Sequence, residues 1–114
     1  MSIRKNLKPA LLLVVTLLLF YTGKVVSGAE KAPVTHTVEI VQMKFKPAQI
    51  TVKNGDKILF INRDMVVHNV TEASGKSWKS PDLATGKSWR LTVTKSASYY
   101  CTFHPVMKGK IMLK

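Results

Sequence analysis

The stretch QITVKNGDKILFIN constrains the fold more than any other in this chain. Ile50 and Val52 alternate with polar residues, Asn54-Gly55 can take the positive φ angles of a tight turn, and Ile58 and Phe60 resume the alternation. That pattern predicts a β-hairpin. The rest of the chain after Pro33 keeps the same period of two. In HTVEIVQM, Val38 and Ile40 share one face and Thr37 and Glu39 the other. HNVTEA is a further strand candidate, SWRLTVTK places Trp89, Leu91 and Val93 on one face, and SYYCTF and GKIMLK supply the last two strands. ASGKSWKSPDLATGKS, rich in Gly, Ser, Pro and Lys, predicts a surface loop with at most one short strand. No segment carries a helical stripe. Six to eight short strands with turn signals predict an all-β domain, a small antiparallel sandwich or barrel.

The first residues follow a different logic. MSIRKNLKP carries three cations, ALLLVVTLLLFY is apolar apart from Thr16, and Ser27 and Ala29 have the small-residue spacing of a cleavage site. This reads as an export signal over residues 1–29, followed by a folded domain over residues 30–114. The alternative is an uncleaved membrane anchor, although the apolar run of 12 residues is short of the roughly 20 that span a bilayer as a helix. A domain of 85 residues is small for a self-sufficient core, so a disulfide or metal is expected to help. The single cysteine, Cys101, cannot form an internal disulfide, and an idle thiol in an oxidising compartment is a liability. That points to a ligand role.

Fourteen of the 18 Lys and Arg residues and all six acids follow Ala29, so the domain carries a net charge of +8. Such a balance favours acidic partners or anionic surfaces. A nucleic-acid role is disfavoured, because the lysines are scattered through strand-like segments and form no dense block with interleaved aromatics.

The chemistry concentrates in YYCTFHPVMKGKI. Cys101 follows an extended segment that aims its side chain at one face of the sheet. Pro105 is expected to end that strand and turn the chain, and Gly109 to give the backbone freedom to start the closing strand. The turn brings His104 beside Cys101 and folds Met107 back over both. His68, in INRDMVVHNV, is the natural fourth donor. Two imidazoles and a thiolate with a weak axial thioether describe a mononuclear blue-copper site, in which soft sulfur suits Cu(I) and imidazole also tolerates Cu(II). Zinc fits less well, since methionine is a poor partner for it and structural zinc sites usually carry more than one thiolate. A Cys-His hydrolase lacks a third orienting group and room for a cleft. Haem attachment lacks its Cys-x-x-Cys-His motif, and a binuclear copper centre lacks a second cysteine. The bland alternative for each residue taken singly is a packed core side chain.

On the segments MKFKPAQITVKNGDKILFINRD, HNV and YYCTFHPVMKGKI, the chain resembles the cupredoxins, and within them the amicyanin branch of the plastocyanin–amicyanin–pseudoazurin group. The resemblance implies an eight-stranded Greek-key β-sandwich and one copper ion cycling between Cu(II) and Cu(I). It implies equatorial ligands His68, Cys101 and His104, with Met107 axial. It further implies that the backbone N–H of Asn69 supports the cysteine sulfur and that the Asn69 side chain bridges to Thr102. An exposed apolar patch around the outer edge of His104 is expected to pass electrons; its candidates are Met43, Met65, Val66, Val67, Phe103, Pro105 and Val106. Amicyanins have proline where Phe103 stands and a bulkier apolar residue where Val106 stands. Phe103 is expected to alter the reduction potential and the ease with which His104 detaches, and the smaller Val106 argues against the usual amicyanin partner, methylamine dehydrogenase.

The expected function is therefore electron transfer by an exported, periplasmic, monomeric blue-copper protein that is not an enzyme. The expected partners are redox proteins (a dehydrogenase, cytochrome or oxidase) with acidic docking surfaces, and a membrane only if the signal is uncleaved. The alternative is a periplasmic copper carrier that delivers the metal itself. His36 reads as an exposed strand-end residue without a metal role, and Trp78 and Trp89 as packing residues.

Overall fold

The computed structural model describes residues 31–114, and the export signal expected over residues 1–29 lies outside them. Eight strands follow one another: β1 (Thr35–Val41), β2 (Lys44–Lys46), β3 (Gln49–Val52), β4 (Lys57–Asn62), β5 (Thr71–Glu72), β6 (Ser88–Thr92), β7 (Ala97–Cys101) and β8 (His104–Leu113). They form two four-stranded sheets, ordered β2-β1-β4-β6 and β3-β8-β7-β5, with Greek-key crossings between them. Each buries one face against the other. In β4 every second residue is buried (Ile58, Phe60 and Asn62), and in β8 Met107, Gly109 and Ile111 point inward.

The expected hairpin at Asn54-Gly55 is not one. β3 lies beside β8 in one sheet and β4 between β1 and β6 in the other, so the turn carries the chain across the sandwich. Its geometry gives the reason. The Asp56 N–H donates to the Lys53 carbonyl at 3.0 Å, and of the two central residues only Gly55 has positive φ, 93°. That is the type II pattern, whose twist splays the flanking strands; a two-residue hairpin of type I′ needs positive φ at both centres. The two-residue hairpin of this end of the chain joins β1 to β2 through Gln42 and Met43, at φ 54° and 60°. Neither residue signals such a turn. Nor are the sheets purely antiparallel: β1 with β4 and β3 with β8 are parallel pairs.

Three local expectations also change. β8 begins at His104 and includes Pro105, so proline does not end a strand here. β3 joins β8 only from Lys110, so the missing N–H of Pro105 falls where β8 has a neighbour on one side alone. Gly109 sits inside β8 opposite Tyr99, and its role is steric. A Cβ there would come within 2.5 Å of Tyr99 Cε2 and closer still to the phenol end of the ring. His36 is half-buried and bonded through Nε2 to Asp56 Oδ2 at 2.9 Å.

The core is aromatic at its centre. The Tyr99 ring meets Phe45 edge-on at 4.8 Å and Phe60 at 5.4 Å. Trp89 stacks on Phe60 at 6.1 Å and touches Trp78 at 6.0 Å, so both tryptophans pack against the core. Cys101 and Met107 belong to the same buried cluster, which ties the site to the centre of the fold.

Candidate metal centre

Cys101 is the last residue of β7 and fully buried. Thr102 and Phe103 make a two-residue turn, and His104 opens β8 directly opposite Cys101. The register shifts here. From Ala97 to Tyr100 the β7–β8 pairing is regular, and its continuation would set Met107 opposite Cys101. Instead His104 takes that position, while Met107 stays buried at 3% exposure. The irregularity sets thiol and imidazole opposite one another across the turn, with the buried Met107 three residues further along β8.

His68 arrives from the loop after β4. Its backbone is held on both sides, donating to the Leu83 carbonyl at 3.1 Å and accepting from the Leu83 N–H at 2.7 Å. The ring is fully buried, with Nδ1 3.8 Å from Cys101 Sγ. Nε2 faces the other way, 2.8 Å from Asp64 Oδ2. A carboxylate only accepts, so Nε2 carries a proton, and in the neutral ring Nδ1 turns its lone pair to the sulfur. The His104 ring centre is 5.2 Å from that of His68, with the planes 64° apart.

Asn69 joins the loop that carries His68 to the end of β7. Its backbone N–H points at Cys101 Sγ at 3.5 Å. Its side-chain Nδ2 donates to Thr102 Oγ1 at 2.6 Å, and its Oδ1 accepts the Thr102 N–H and the Thr71 hydroxyl, each at 3.0 Å. Three of the four hydrogen-bonding positions of this buried side chain are filled, which holds the loop after β4 against the end of β7.

Asp64 and Asn62 were not singled out by sequence reasoning. Asn62, fully buried, donates to the carbonyls of Val66 and Leu83 at 2.8 Å each and accepts the Asp64 N–H at 2.8 Å, so it braces the loop that presents His68. Burial pushes the Asp64 carboxyl pKa up, but hydrogen bonds from the Met43 N–H, the His68 ring and the Gln42 N–H outweigh this and leave it below its usual value. The only available signal was that Asp64 stands four residues before His68, and that spacing carries meaning only once the loop is folded.

The patch candidates share this end of the sandwich. Met43, Met65, Val66, Val67, Phe103 and Val106 account for six of the seven exposed large apolar side chains among the described residues, with Met65 and Val106 90% exposed. Pro105 is exposed between them.

The donors suit a thiophilic ion with mixed preferences. At typical metal–sulfur and metal–nitrogen lengths of about 2.3 and 2.0 Å, one ion can touch Sγ and Nδ1 together with a bend of roughly 125°, near the trigonal value. Residues 32–114 match the family described as copper binding proteins of the plastocyanin/azurin family. The chain belongs to that family. Amicyanin of Paracoccus denitrificans is 33% identical over 94 residues, covering 77% of this chain and 72% of the relative. Amicyanin-alpha of Methylorubrum extorquens is 30% identical over 104 residues, covering 82% and 87%. A solved reduced amicyanin with a tryptophan-to-tyrosine change superposes with a TM-score of 0.66 at 33% identity, over 75% of this chain and 87% of that one. As a cupredoxin of this family the protein has one copper ion as its cofactor, and it is an electron carrier and not an enzyme.

Proposed function

We propose that this cupredoxin is an exported, periplasmic shuttle moving one electron at a time between redox proteins, with its copper held by His68, Cys101, His104 and Met107. The observation that carries the reading is the approach of His68 Nδ1 to the buried Cys101 Sγ at 3.8 Å, from two loops 33 residues apart in sequence. Bound copper supplies the redox step, alternating between Cu(II) and Cu(I). The chain's own part is to hold the donors still and dry. The Asn69 N–H directed at Sγ draws electron density from the thiolate and favours the reduced state. The Asn69–Thr102 bridge keeps the two loops from separating as the charge at the site changes. Because these groups are fixed by buried hydrogen bonds, little rearrangement accompanies each electron.

The half-buried His104 lies next to exposed Phe103, Pro105 and Val106, which supports electron exit through this apolar end. Exposed Lys44 directly follows Met43, exposed Lys108 follows Met107, and Arg63, paired with Glu39 at 3.1 Å, lies two residues before Met65. A small apolar contact within a basic rim suits brief docking to acidic redox proteins such as a dehydrogenase, cytochrome or oxidase. Export rests on the charged, apolar and small-residue pattern of residues 1–29.

Addition of Cu(II) to the purified domain tests this reading. The expected result is an intense blue thiolate-to-metal absorption that disappears on reduction and is absent from Cys101→Ala. A colourless product that yields copper readily to weak chelators would instead identify a copper carrier.

A further inference from the structure

Asp64 serves two structures at once. Its Oδ1 accepts the Gln42 N–H at 2.6 Å, while its Oδ2 accepts the Met43 N–H at 2.9 Å and faces His68 Nε2 at 2.8 Å. Gln42 and Met43 are both in the left-handed region, at φ 54° and 60°, which the β1–β2 turn requires and side chains with a Cβ resist. Two successive N–H groups captured by one carboxylate hold the chain there. The same carboxylate fixes the proton on His68 Nε2 and leaves Nδ1 towards Cys101. Asp64 has little freedom to choose between these tasks: its N–H is bonded to Asn62 Oδ1 at 2.8 Å and its carbonyl to the Thr85 hydroxyl at 2.7 Å.

We propose that Asp64 is a positioning residue that couples the left-handed Gln42–Met43 turn to the tautomer and orientation of His68, so that turn and ligand hold or release as one unit. The inference rests on the reading of His68 as a copper ligand. Its consequence is that a partner pressing on exposed Met43 acts on the ligand through two hydrogen bonds, without touching it.

Metal-free protein tests the coupling by ¹⁵N NMR of the His68 ring at neutral pH. Wild type is expected to show a single Nε2–H tautomer. Asp64→Ala loses it, and Asp64→Glu, which keeps a carboxylate, restores it. Met43→Gly, which eases the turn, leaves the tautomer intact. Met43→Pro, which forbids positive φ and removes the N–H, releases His68 although Asp64 is still present. On copper loading, Asp64→Ala is expected to bind about 10–100-fold more weakly. If Asp64→Ala folds poorly, the comparison moves to a Gln42→Gly/Met43→Gly background, where both left-handed positions are eased and the turn no longer depends on the carboxylate. A wild-type tautomer in Asp64→Ala would overturn the positioning role, and one in Met43→Pro would overturn the coupling. A wild type that stays colourless with Cu(II) would defeat the blue-copper reading instead, while the metal-free tautomers would still decide the coupling.

Discussion

Gly109→Ala should be among the costliest one-methyl changes available in this protein. The added Cβ would fall 2.5 Å from Tyr99 Cε2, against an ordinary carbon–carbon contact of about 3.5 Å, so the ring must retreat by roughly 1 Å or more. It has nowhere to go. Tyr99 is 1% exposed and pinned edge-on by Phe45 at 4.8 Å and Phe60 at 5.4 Å. Overpacking of this kind typically costs 1–3 kcal/mol, and rigid neighbours on two sides place this site near about 3 kcal/mol. For a domain of this size that corresponds to a fall in Tm of about 12–24 °C. The strain also reaches the site, because Tyr99 is two residues before Cys101 and Gly109 two after Met107. Urea unfolding of the metal-free protein is the assay, since bound copper would add its own stabilisation. Two controls sharpen it. The Tyr99 hydroxyl is buried without a partner among the described residues, and burial pushes its pKa up, so Tyr99→Phe should be neutral or stabilising by about 1 kcal/mol. Gly109→Ala combined with Tyr99→Leu should recover part of the loss, a non-additivity expected only of a direct clash. If Gly109→Ala alone unfolds within 0.5 kcal/mol of wild type, the steric account of this glycine is wrong.

The acid limb of stability should have two sources. The His36 side chain, then the N–H groups of Val34 and Lys53, lower the Asp56 pKa from 3.8 to about 2, and the Ser74 hydroxyl with neighbouring donors lowers Glu72 from 4.5 to about 2. Both pKa values are depressed on folding, so the stabilisation is present above about pH 4.5 and is lost as pH falls towards about 2. Urea midpoints for Asp56→Asn/Glu72→Gln should be flatter than wild type across that window; parallel curves would refute the assignment. Asn69→Ala strands the Thr102 N–H and the Thr71 hydroxyl while keeping the backbone N–H directed at sulfur, and should cost about 3 kcal/mol in urea unfolding, with a loss under 0.5 counting against the bridge. Met65→Gln/Val106→Asn alters two side chains that are 90% exposed, so stability should move by less than about 0.5 kcal/mol. Electron self-exchange, read from NMR line widths in mixtures of the two oxidation states, should nevertheless slow several-fold, and an unchanged rate would place the exit elsewhere.

The ligand candidates were legible in the sequence because the chemistry demands scarce residue types. One thiol, placed three residues before an imidazole and six before a thioether, has few uses in a small all-β chain. The family followed from the same segment. Strand positions were legible too, since a half-buried strand writes its burial directly into a period of two, as Val38 and Ile40 do between Thr37 and Glu39 in β1. Partnership between strands was not. Asn54-Gly55 looks like a hairpin turn, yet only Gly55 takes positive φ and the chain crosses to the other sheet. Gln42-Met43 looks like nothing in particular, yet makes the hairpin because a carboxylate some twenty residues away captures both of its N–H groups. Gly109 looks like a flexible joint in the sequence and is instead the space that a tyrosine ring occupies.

Alternation and scarce donors are local properties, carried by each residue's own chemistry and its neighbours one or two places away. They determined that the chain makes strands and which side chains are fit to hold copper. Sheet order, the Asp64 clamp and the Tyr99–Gly109 contact belong to the tertiary structure. Each joins groups whose mutual distance no local rule specifies, and each exists only once two sheets have closed on a common core.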